Sequence, residues 1–290
     1  MKKIPEILFD AQKPNTLGFE IMNFDYFFTK TILPEKNGIH HKITFYAILF
    51  FTGGEGSHFI DFEEYSFKKG SILFISKEQV HAFSSHSDYK GYMILFTSEF
   101  LLKSLSAPEM MIFKSIFNYQ LYKPLVQVNE RDYNEFIGLI NDIYSDYHRN
   151  NDKIQENILR NYLKILLLKS ERYKSNTAQI IESKYYHEHI QFQELLKANI
   201  KQERQVQYYA DKLLISTKKL NMITQDILGV SAKSFISEML MLDIKRELMN
   251  LSISIKEIAF EYGFDEPTNF VKFFKKHTGI SPSGFRSAHN

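Results

Sequence analysis

The chain has 290 residues, of which 44% are hydrophobic and 24% charged, and its formal net charge at pH 7 is +2. This length allows two domains with sizeable cores, and the small net charge does not by itself indicate a nucleic-acid partner. The absence of cysteine excludes disulfides, thiolate nucleophiles and cysteine metal sites. No segment reads as a signal peptide or a membrane span, so we expect a cytoplasmic protein that does not contact a membrane.

Residues 44–96 have the composition of β-strands. Phe, Tyr, Ile and Leu dominate four successive segments, and glycines at 53–54, 70 and 91 lie at their ends. The segments are TFYAILFFTGG, HFIDFEEYSFKKG, SILFISKEQVHAF and GYMILFTSEF. Short strands at close spacing with glycine-bearing turns predict an antiparallel sandwich or barrel.

The pattern becomes helical after Ser98. Asn129 is a plausible N-cap, and apolar residues then recur at three and four residues up to Tyr147. A second amphipathic stripe consists of Ile154, Ile158, Tyr162, Ile165 and Leu166. These two helices are predicted to pack antiparallel, and the polar stretch that follows, ERYKSNTAQIIESKYYHEH, is predicted to contain the linker to a second domain.

The last hundred residues contain one internal repeat, YYADKLLISTKKLNMI and IAFEYGFDEPTNFVKF, joined by a predicted helix over about residues 234–249. In the second copy, Ser254 followed by Glu257 forms a capping box, and Gly263 supplies the left-handed residue that ends a helix. Two short helices with such a turn predict a helix-turn-helix. Its second helix, here called the reading helix, can enter the DNA major groove.

At these residues the chain resembles the AraC/XylS transcription regulators. In the second copy the matching residues are Ile258, Ala259, Gly263, Phe264, Phe270, Phe274, Lys275, Lys276, Gly279, Ser281, Pro282 and Arg286. In the first they are Tyr209, Ala210, Leu213, Ser216, Leu220, Gly229, Ser231, Phe235 and Ile236. The resemblance implies a DNA-binding domain over residues 183–290 with two helix-turn-helix units, at about 206–228 and 254–277. It also implies a transcription activator whose partners are double-stranded promoter DNA and RNA polymerase.

The residues expected to contact DNA are Thr217, Lys218, Asn221, Met222, Thr268, Val271, Lys272, Lys275, Lys276 and Arg286. Lys218 and Asn221 are predicted base readers, because lysine can reach guanine and asparagine can pair with adenine. Lys275 and Lys276 are better placed for phosphates, and Arg286 is expected either to anchor the last helix or to meet a phosphate. The first unit departs from the family, which usually has a basic residue where Met222 stands and lysine where Gln225 stands.

Residues 1–105 resemble the cupin-like sensor domain of the same family. The candidate anchors for a small-molecule effector are His41, Tyr46, His58 and His81. His41 and His81 match the histidine positions of metal-binding cupins, but no carboxylate occurs between His41 and Glu55. Two imidazoles without a carboxylate make a poor metal site, so we expect no metal and no cofactor.

The expected fold class is therefore multidomain α+β, with an N-terminal cupin-like β-barrel, accessory helices over residues 106–182 and a C-terminal all-α domain. By resemblance, the accessory helices form the surface of a homodimer; alternatively, they only cover the barrel. No enzymatic activity is expected. Two other functions remain open from the sequence, a metal-dependent cupin enzyme and an architectural DNA-binding protein that senses no ligand.

Overall fold

The computed structural model describes residues 6–7, 18–30, 40–85, 87–102, 104–149, 154–173 and 183–289. They divide into two compact units, one formed by the described residues up to 173 and the other by residues 183–289. The first is rich in strands and the second is helical, which confirms the predicted α+β class. Among the helices in these ranges, none combines the length and apolar character that crossing a membrane requires.

Strands β1 to β10 build the first unit. In chain order they are Glu6–Ile7, Phe19–Asn23, His41–Ile43, Tyr46–Gly53, Glu55–Ile60, Glu63–Lys68, Ser71–Ile75, Val80–Phe83, Lys90–Phe96 and Leu125–Gln127. One five-stranded sheet has the order β1-β3-β8-β5-β6, and the other has the order β10-β7-β4-β9-β2. The expected barrel is thus realised as two separate sheets, an arrangement compatible with a cupin-like jelly roll.

Strand β4 is apolar without interruption because both of its faces are buried. Ala47, Leu49 and Phe51 belong to the core between the two sheets. The alternate residues Ile48 and Phe50 lie in a second core, on the other face of the same sheet. Because successive strand side chains point to opposite faces, a strand covered on both sides must be apolar at every position.

Two of the predicted strand segments each contain two strands: β5 and β6 form a hairpin, whereas β7 and β8 belong to different sheets. The chain turns between β5 and β6 at Asp61 and Phe62, which have φ angles of 50° and 72°. Another turn separates β7 from β8 and contains Glu78, with φ of 70°. The sequence carries no glycine at either turn, and glycine is the usual signal for positive φ, so these two turns could not be predicted from the sequence.

Five helices complete the described part of the first unit: α1 (Phe24–Lys30), α2 (Ser98–Leu102), α3 (Ala107–Ile116), α4 (Glu130–His148) and α5 (Gln155–Glu171). The predicted cap is confirmed, because the Asn129 side chain accepts a hydrogen bond from the Asp132 backbone N–H at 2.9 Å. The predicted inner stripe of α5 is wrong in part: Ile154 and Ile165 are 60% and 41% exposed. The buried residues of this helix include Leu159, Leu163, Leu166 and Leu167.

Seven helices are described in the second unit: α6 (Tyr186–Asn199), α7 (Val206–Lys212), α8 (Thr217–Leu228), α9 (Ala232–Leu248), α10 (Ile255–Glu261), α11 (Pro267–Thr278) and α12 (Pro282–Ala288). Both predicted helix-turn-helix units are present, as α7–α8 and α10–α11, and the 17-residue helix α9 joins them. The capping box is confirmed, because Ser254 and Glu257 each bond the other's backbone N–H.

Candidate DNA-binding surface

The two helix-turn-helix units have the same hydrogen bonds in their turns. In the first, the Ile215 N–H donates to the Ala210 carbonyl at 3.0 Å. In the second, the Phe264 N–H donates to the Ala259 carbonyl at 3.0 Å. The left-handed residue before each donor is Leu214 in the first turn, with φ of 57°, and glycine 263 in the second, with φ of 67°.

Reading helices α8 and α11 also end alike. Each ends at a left-handed glycine, Gly229 or Gly279, whose N–H bonds the carbonyl four residues earlier. A buried residue, Leu220 or Phe270, lies nine positions before each glycine. This register pairs position with position along the two helices, so Met222, Gln225 and Asp226 of α8 correspond to Lys272, Lys275 and Lys276 of α11.

On α8, Lys218 and Met222 are exposed, and Thr217 is half-buried at the start of the helix. Asn221 is engaged within the domain, because its amide donates to the Thr217 carbonyl and accepts from the Ala232 N–H, both at 3.0 Å. The amide thereby ties α8 to the first turn of α9. That use competes with the predicted role of Asn221 in reading a base.

On α11, the exposed side chains include those of Thr268, Lys272, Lys275 and Lys276, and Val271 is half-buried. The opposite side of the helix packs inward through fully buried Phe270 and Phe274. The three lysines therefore share the outer side of one short helix. Their positive charge suits the phosphate backbone of DNA.

Arg286 lies on α12 and binds the chain itself. Its Nε donates to the Leu248 carbonyl at 2.7 Å, and its Nη2 donates to the carbonyls of Asn250 and Ile253 at 3.3 and 2.9 Å. Of the two roles left open by the sequence, this geometry is that of an anchor. It holds the loop between α9 and α10 against the last helix.

An open groove of about 750 Å³ runs along α8 and had no counterpart in the sequence reasoning. Its lining consists of Lys184, Tyr185, Lys218, Asn221, Met222, Gln225, Asp226 and Ser231. Lys184 and Tyr185 fall in the stretch predicted to contain the linker, where the helical pattern is weak. The sequence signal that could have found them is the lysine–tyrosine pair just before helix α6, but the neighbouring helix α8 begins only at Thr217, 32 residues after Tyr185.

In the first unit, the structure gathers three of the four predicted effector residues. His58 Nε2 lies 3.1 Å from His81 Nδ1, and the ring centroids of His41 and His81 are 4.0 Å apart. All three are buried, and His41 and His81 face each other across the β3–β8 register. We call these three residues the histidine cluster. Tyr89, which the sequence did not single out, places its hydroxyl 3.4 Å from His58 Nδ1.

Burial keeps His58 and His81 of the histidine cluster neutral. It lowers the pKa of His58 to about 3, with a smaller contribution from nearby His41. The pKa of His81 is also lowered well below its ordinary value, mainly by burial and further by His41 and His58. Burial raises the pKa of Tyr89 to about 12. Within the described ranges, no group of three His, Asp or Glu side chains is arranged to hold a metal ion.

Tyr46, the fourth predicted anchor, is not with the others. Its ring packs against Phe113 and Phe117 at centroid distances of 5.0 and 4.7 Å, in the core beneath the helices. Tyr46 stands at the start of β4, where the side-chain alternation directs it away from the space between the sheets. The strand that contains Tyr46 could be predicted from the sequence, but the face on which its side chain lies could not.

Comparisons with known proteins agree with this architecture. The model of the AraC-like ligand binding domain matches residues 34–160, and a helix-turn-helix domain model matches residues 209–288. The HTH-type transcriptional activator RhaS of Yersinia pseudotuberculosis serotype I (strain IP32953) is 20% identical over 256 residues, which cover 88% of this chain and 91% of that protein. The probable transcription factor PqrA of Proteus vulgaris is 31% identical over 77 residues, or 27% of this chain and 63% of that protein.

Among solved structures, unsaturated fatty acid bound wild-type ToxT from Vibrio cholerae strain SCE256 is similar with a TM-score of 0.42 and 17% identity, covering 92% of this chain and 91% of that chain. The two domain matches cover the two compact units in order. Together with the paired helix-turn-helix geometry, they show what kind of protein this is. The chain belongs to the AraC family of DNA-binding transcription regulators.

Proposed function

We propose that the protein is a transcription activator that acts in the cytoplasm, reads promoter DNA with both reading helices and engages RNA polymerase there. The observation that carries the proposal is the repeated turn geometry on either side of α9. Two similar reading helices joined by one stiff helix suit successive major grooves, about one turn or ~34 Å apart. The similarity to RhaS, a transcriptional activator, and to PqrA, a probable transcription factor, supports the same role.

The proposal assigns different tasks to the exposed residues. On α11, Thr268, Val271 and Lys272 face base edges, while Lys275 and Lys276 bind phosphates. On α8, Lys218 reads bases with help from Thr217 and Met222. Phosphate contacts set affinity and register, and base contacts set sequence choice.

Footprinting on selected promoter DNA tests tandem reading, because one chain should protect roughly two turns. Titrations with the variants Lys272→Ala, Lys275→Ala and Lys276→Ala then test the division of tasks. K272A should alter base preference, whereas K275A and K276A should weaken binding to all sequences and reduce the salt slope by about 0.9 each. Lys197→Ala, an exposed position on α6, is the control. Protection of a single short half-site, or the same uniform loss for all three variants, would contradict the proposal.

Homodimerisation forms a second part of the proposal. Ile154, the N-cap residue of α5, and Ile165 and Leu168 on its outer side are 60%, 41% and 41% exposed, and exposed Asn161 lies among them. Residues 154, 161 and 168 follow one another at seven-residue spacing, which suits packing of α5 against its copy in a second chain. A polar asparagine within such a seam fixes register. The proposed regions are 1–105 for sensing, 106–182 for dimerisation and 183–290 for DNA binding.

Light scattering on the purified chain tests the dimer. Leu168→Glu should give a monomer, because a carboxylate would be buried in the apolar seam. Ser145→Glu, at an exposed position of α4, should leave the mass unchanged. A monomeric native chain, or an L168E variant that remains a dimer, would overturn this part without affecting the DNA-binding proposal.

Regulation by a small molecule is the third part. Apolar and aromatic side chains dominate the core between the sheets, and the neutral imidazoles of His58 and His81, with the Tyr89 hydroxyl, supply polar groups there, so a cavity opened in this core would have a mainly apolar lining. Such a lining suits a largely apolar effector held by a few hydrogen bonds. A compound from a metabolite extract should raise the melting temperature of the native chain and change its promoter affinity, and His58→Phe should remove both effects. If no compound changes promoter binding, the non-sensing architectural alternative is favoured.

A further inference from the structure

The groove along α8 brings a lysine from outside the helix-turn-helix to the side of the reading helix. Lys184 and Tyr185, which immediately precede α6, line the groove together with Lys218. Helix α6 packs against α8, and the Ser183 hydroxyl donates to the Asp226 carboxylate at 2.6 Å. This contact fixes the start of α6 beside the last turns of α8.

Positive charge collects around the Tyr185 ring. The Lys184 ammonium lies 4.9 Å from the centroid of that ring, and the Lys219 ammonium lies 5.4 Å from it. Lys219 is also 3.6 Å from a Glu188 carboxylate oxygen. Lys184 is exposed, as is Lys218 on the reading helix, so both ammonium groups face solvent where an anion can approach.

The second unit shows what the first lacks. On α11, Lys275 and Lys276 supply cations toward the end of the reading helix. The equivalent positions on α8 are Gln225, which is neutral, and Asp226, which is negative. A reading helix with no cation at these two positions has lost its contacts to the DNA backbone there, unless a neighbouring element supplies them.

We propose that Lys184, braced on Tyr185, binds a backbone phosphate of the DNA beside α8 and so replaces the cations that the first reading helix lacks. The inference rests on the proposed function, since it assigns part of the same DNA surface. The occupant of the groove is the sugar-phosphate backbone of the duplex read by α8. Ser183 supports the arrangement by hydrogen bonding the Asp226 carboxylate, which holds Lys184 beside the last turns of α8.

The test is a salt titration of promoter binding by the full chain and its K184A variant. One lost phosphate contact should reduce the slope of log affinity against log salt by about 0.9 and weaken binding about fivefold to tenfold at 0.1 M salt. The loss should be the same on specific and nonspecific duplexes, because a phosphate carries no sequence information. K197A, on α6 and about 17 Å from the start of that helix at 1.5 Å per residue, is the control and should match the native chain.

A double-mutant cycle makes the test specific to this groove. Asp226→Lys places the residue of the second unit at the equivalent position, and this variant should bind more tightly than the native chain. In the D226K variant, the K184A change should reduce DNA affinity less than it does in the native chain, because both lysines would then contact the same stretch of DNA backbone. Full additivity, or a K184A slope equal to that of the native chain, would overturn the inference. If the native chain itself binds no duplex, the proposed function fails instead.

Discussion

The two helix-turn-helix units have the same backbone geometry, but their reading helices carry different side chains on the outer surface. Both turns make the same hydrogen bonds, and both reading helices end on left-handed glycines with φ of 72° and 78°. Yet the second unit has lysines at three positions where the first has methionine, glutamine and aspartate. The fold therefore tolerates wide change on its outer surface, and each unit can have its own balance of affinity and sequence choice.

Their interiors differ as well. The second unit is built on aromatic rings, with Phe274 packing against Phe270 and Phe285 at centroid distances of 6.2 and 5.6 Å. The position equivalent to Phe274 in the first unit is Thr224, which is equally buried and donates its hydroxyl hydrogen bond to the Asn221 carbonyl. We therefore expect the second unit to depend on a few large side chains and the first on contacts with its neighbour α6.

The largest expected effect follows from this difference in cores. Phe274→Ala should lower the free energy of unfolding by about 3–5 kcal/mol, because it removes a fully buried ring. Thr224→Ala at the equivalent position should lose far less, about 1 kcal/mol, since little apolar volume is removed. Urea denaturation of both variants gives the comparison. Equal losses of unfolding free energy in the two variants would mean that both positions contribute equally to stability, which would contradict the prediction.

The second prediction concerns acid. His189 on α6 is fully buried against Phe235, and neither of its ring nitrogens has a hydrogen-bond partner among the described residues. Burial lowers its pKa to about 4 from an ordinary value of 6.5. Below pH 6.5 the unfolded chain takes up a proton that the folded chain does not, so stability falls by up to about 1.4 kcal/mol per pH unit until pH 4.

His189→Leu removes this titration, and its stability advantage over the native chain should therefore grow as the pH falls from 7 to 4. Because α6 packs against α7 and α8, the loss in the native chain should appear first in the first unit. Amide hydrogen exchange, compared between α8 and α11 at each pH, measures it. If the difference in unfolding free energy between the native and H189L chains did not change with pH, the pKa of His189 would be the same in the folded and unfolded chains, which would contradict the prediction.

The third prediction exchanges reading residues between the units. Lys272→Met puts the first unit's residue into α11 and should lose about 1–3 kcal/mol of binding free energy on the preferred sequence, since a lysine contact to a base edge is removed. Met222→Lys in α8 should strengthen binding. Titration of labelled promoter DNA with both variants tests whether the units are interchangeable in charge. If K272M bound the promoter with unchanged affinity, Lys272 would not contact a base edge.

Structural features that depend on residues close together in the chain could be predicted from the sequence, whereas features that depend on distant residues could not. The caps at Asn129, Ser216 and Ser254 were predictable, because each relies on residues within three positions. The histidine cluster was not, because it depends on strand register between β3, β5 and β8. Tyr46 illustrates the same limit. A strand buried on both faces is apolar at every position, so its sequence does not show which face a given side chain occupies.

The reading helices show both outcomes. The exposed lysines of α11 followed from helical periodicity alone, whereas the second use of Asn221 depends on Ala232, eleven residues away in another helix. The face of α5 was ambiguous because apolar residues surround most of that helix, and only packing decided which of them are buried. Long-range contacts thus account for the missed and misplaced residues alike.

The smallest expected effect concerns the turns. Leu214 holds the left-handed conformation with a side chain that is 93% exposed, whereas the second turn has glycine there. Leu214→Gly should stabilise the chain by about 0.5–1 kcal/mol, because it relieves strain without losing packing. The reverse change at glycine 263, to alanine, should destabilise it by about 1 kcal/mol, although the added Cβ would meet no atom closer than 3.6 Å. Thermal melts of both variants report the effect, and a destabilised L214G would show that Leu214 contributes contacts.

Arg286 has a consequence for how this domain can change over time. The guanidinium holds the loop between α9 and α10 through three main-chain carbonyls and none of these bonds involves a side chain of the loop. Every residue type except proline leaves the main chain of such a loop much the same, and even proline keeps its carbonyl. Apart from Asn250, whose side chain accepts hydrogen bonds from Ser252, residues of the loop between the two reading helices can therefore change during evolution while a distant arginine continues to hold its main chain.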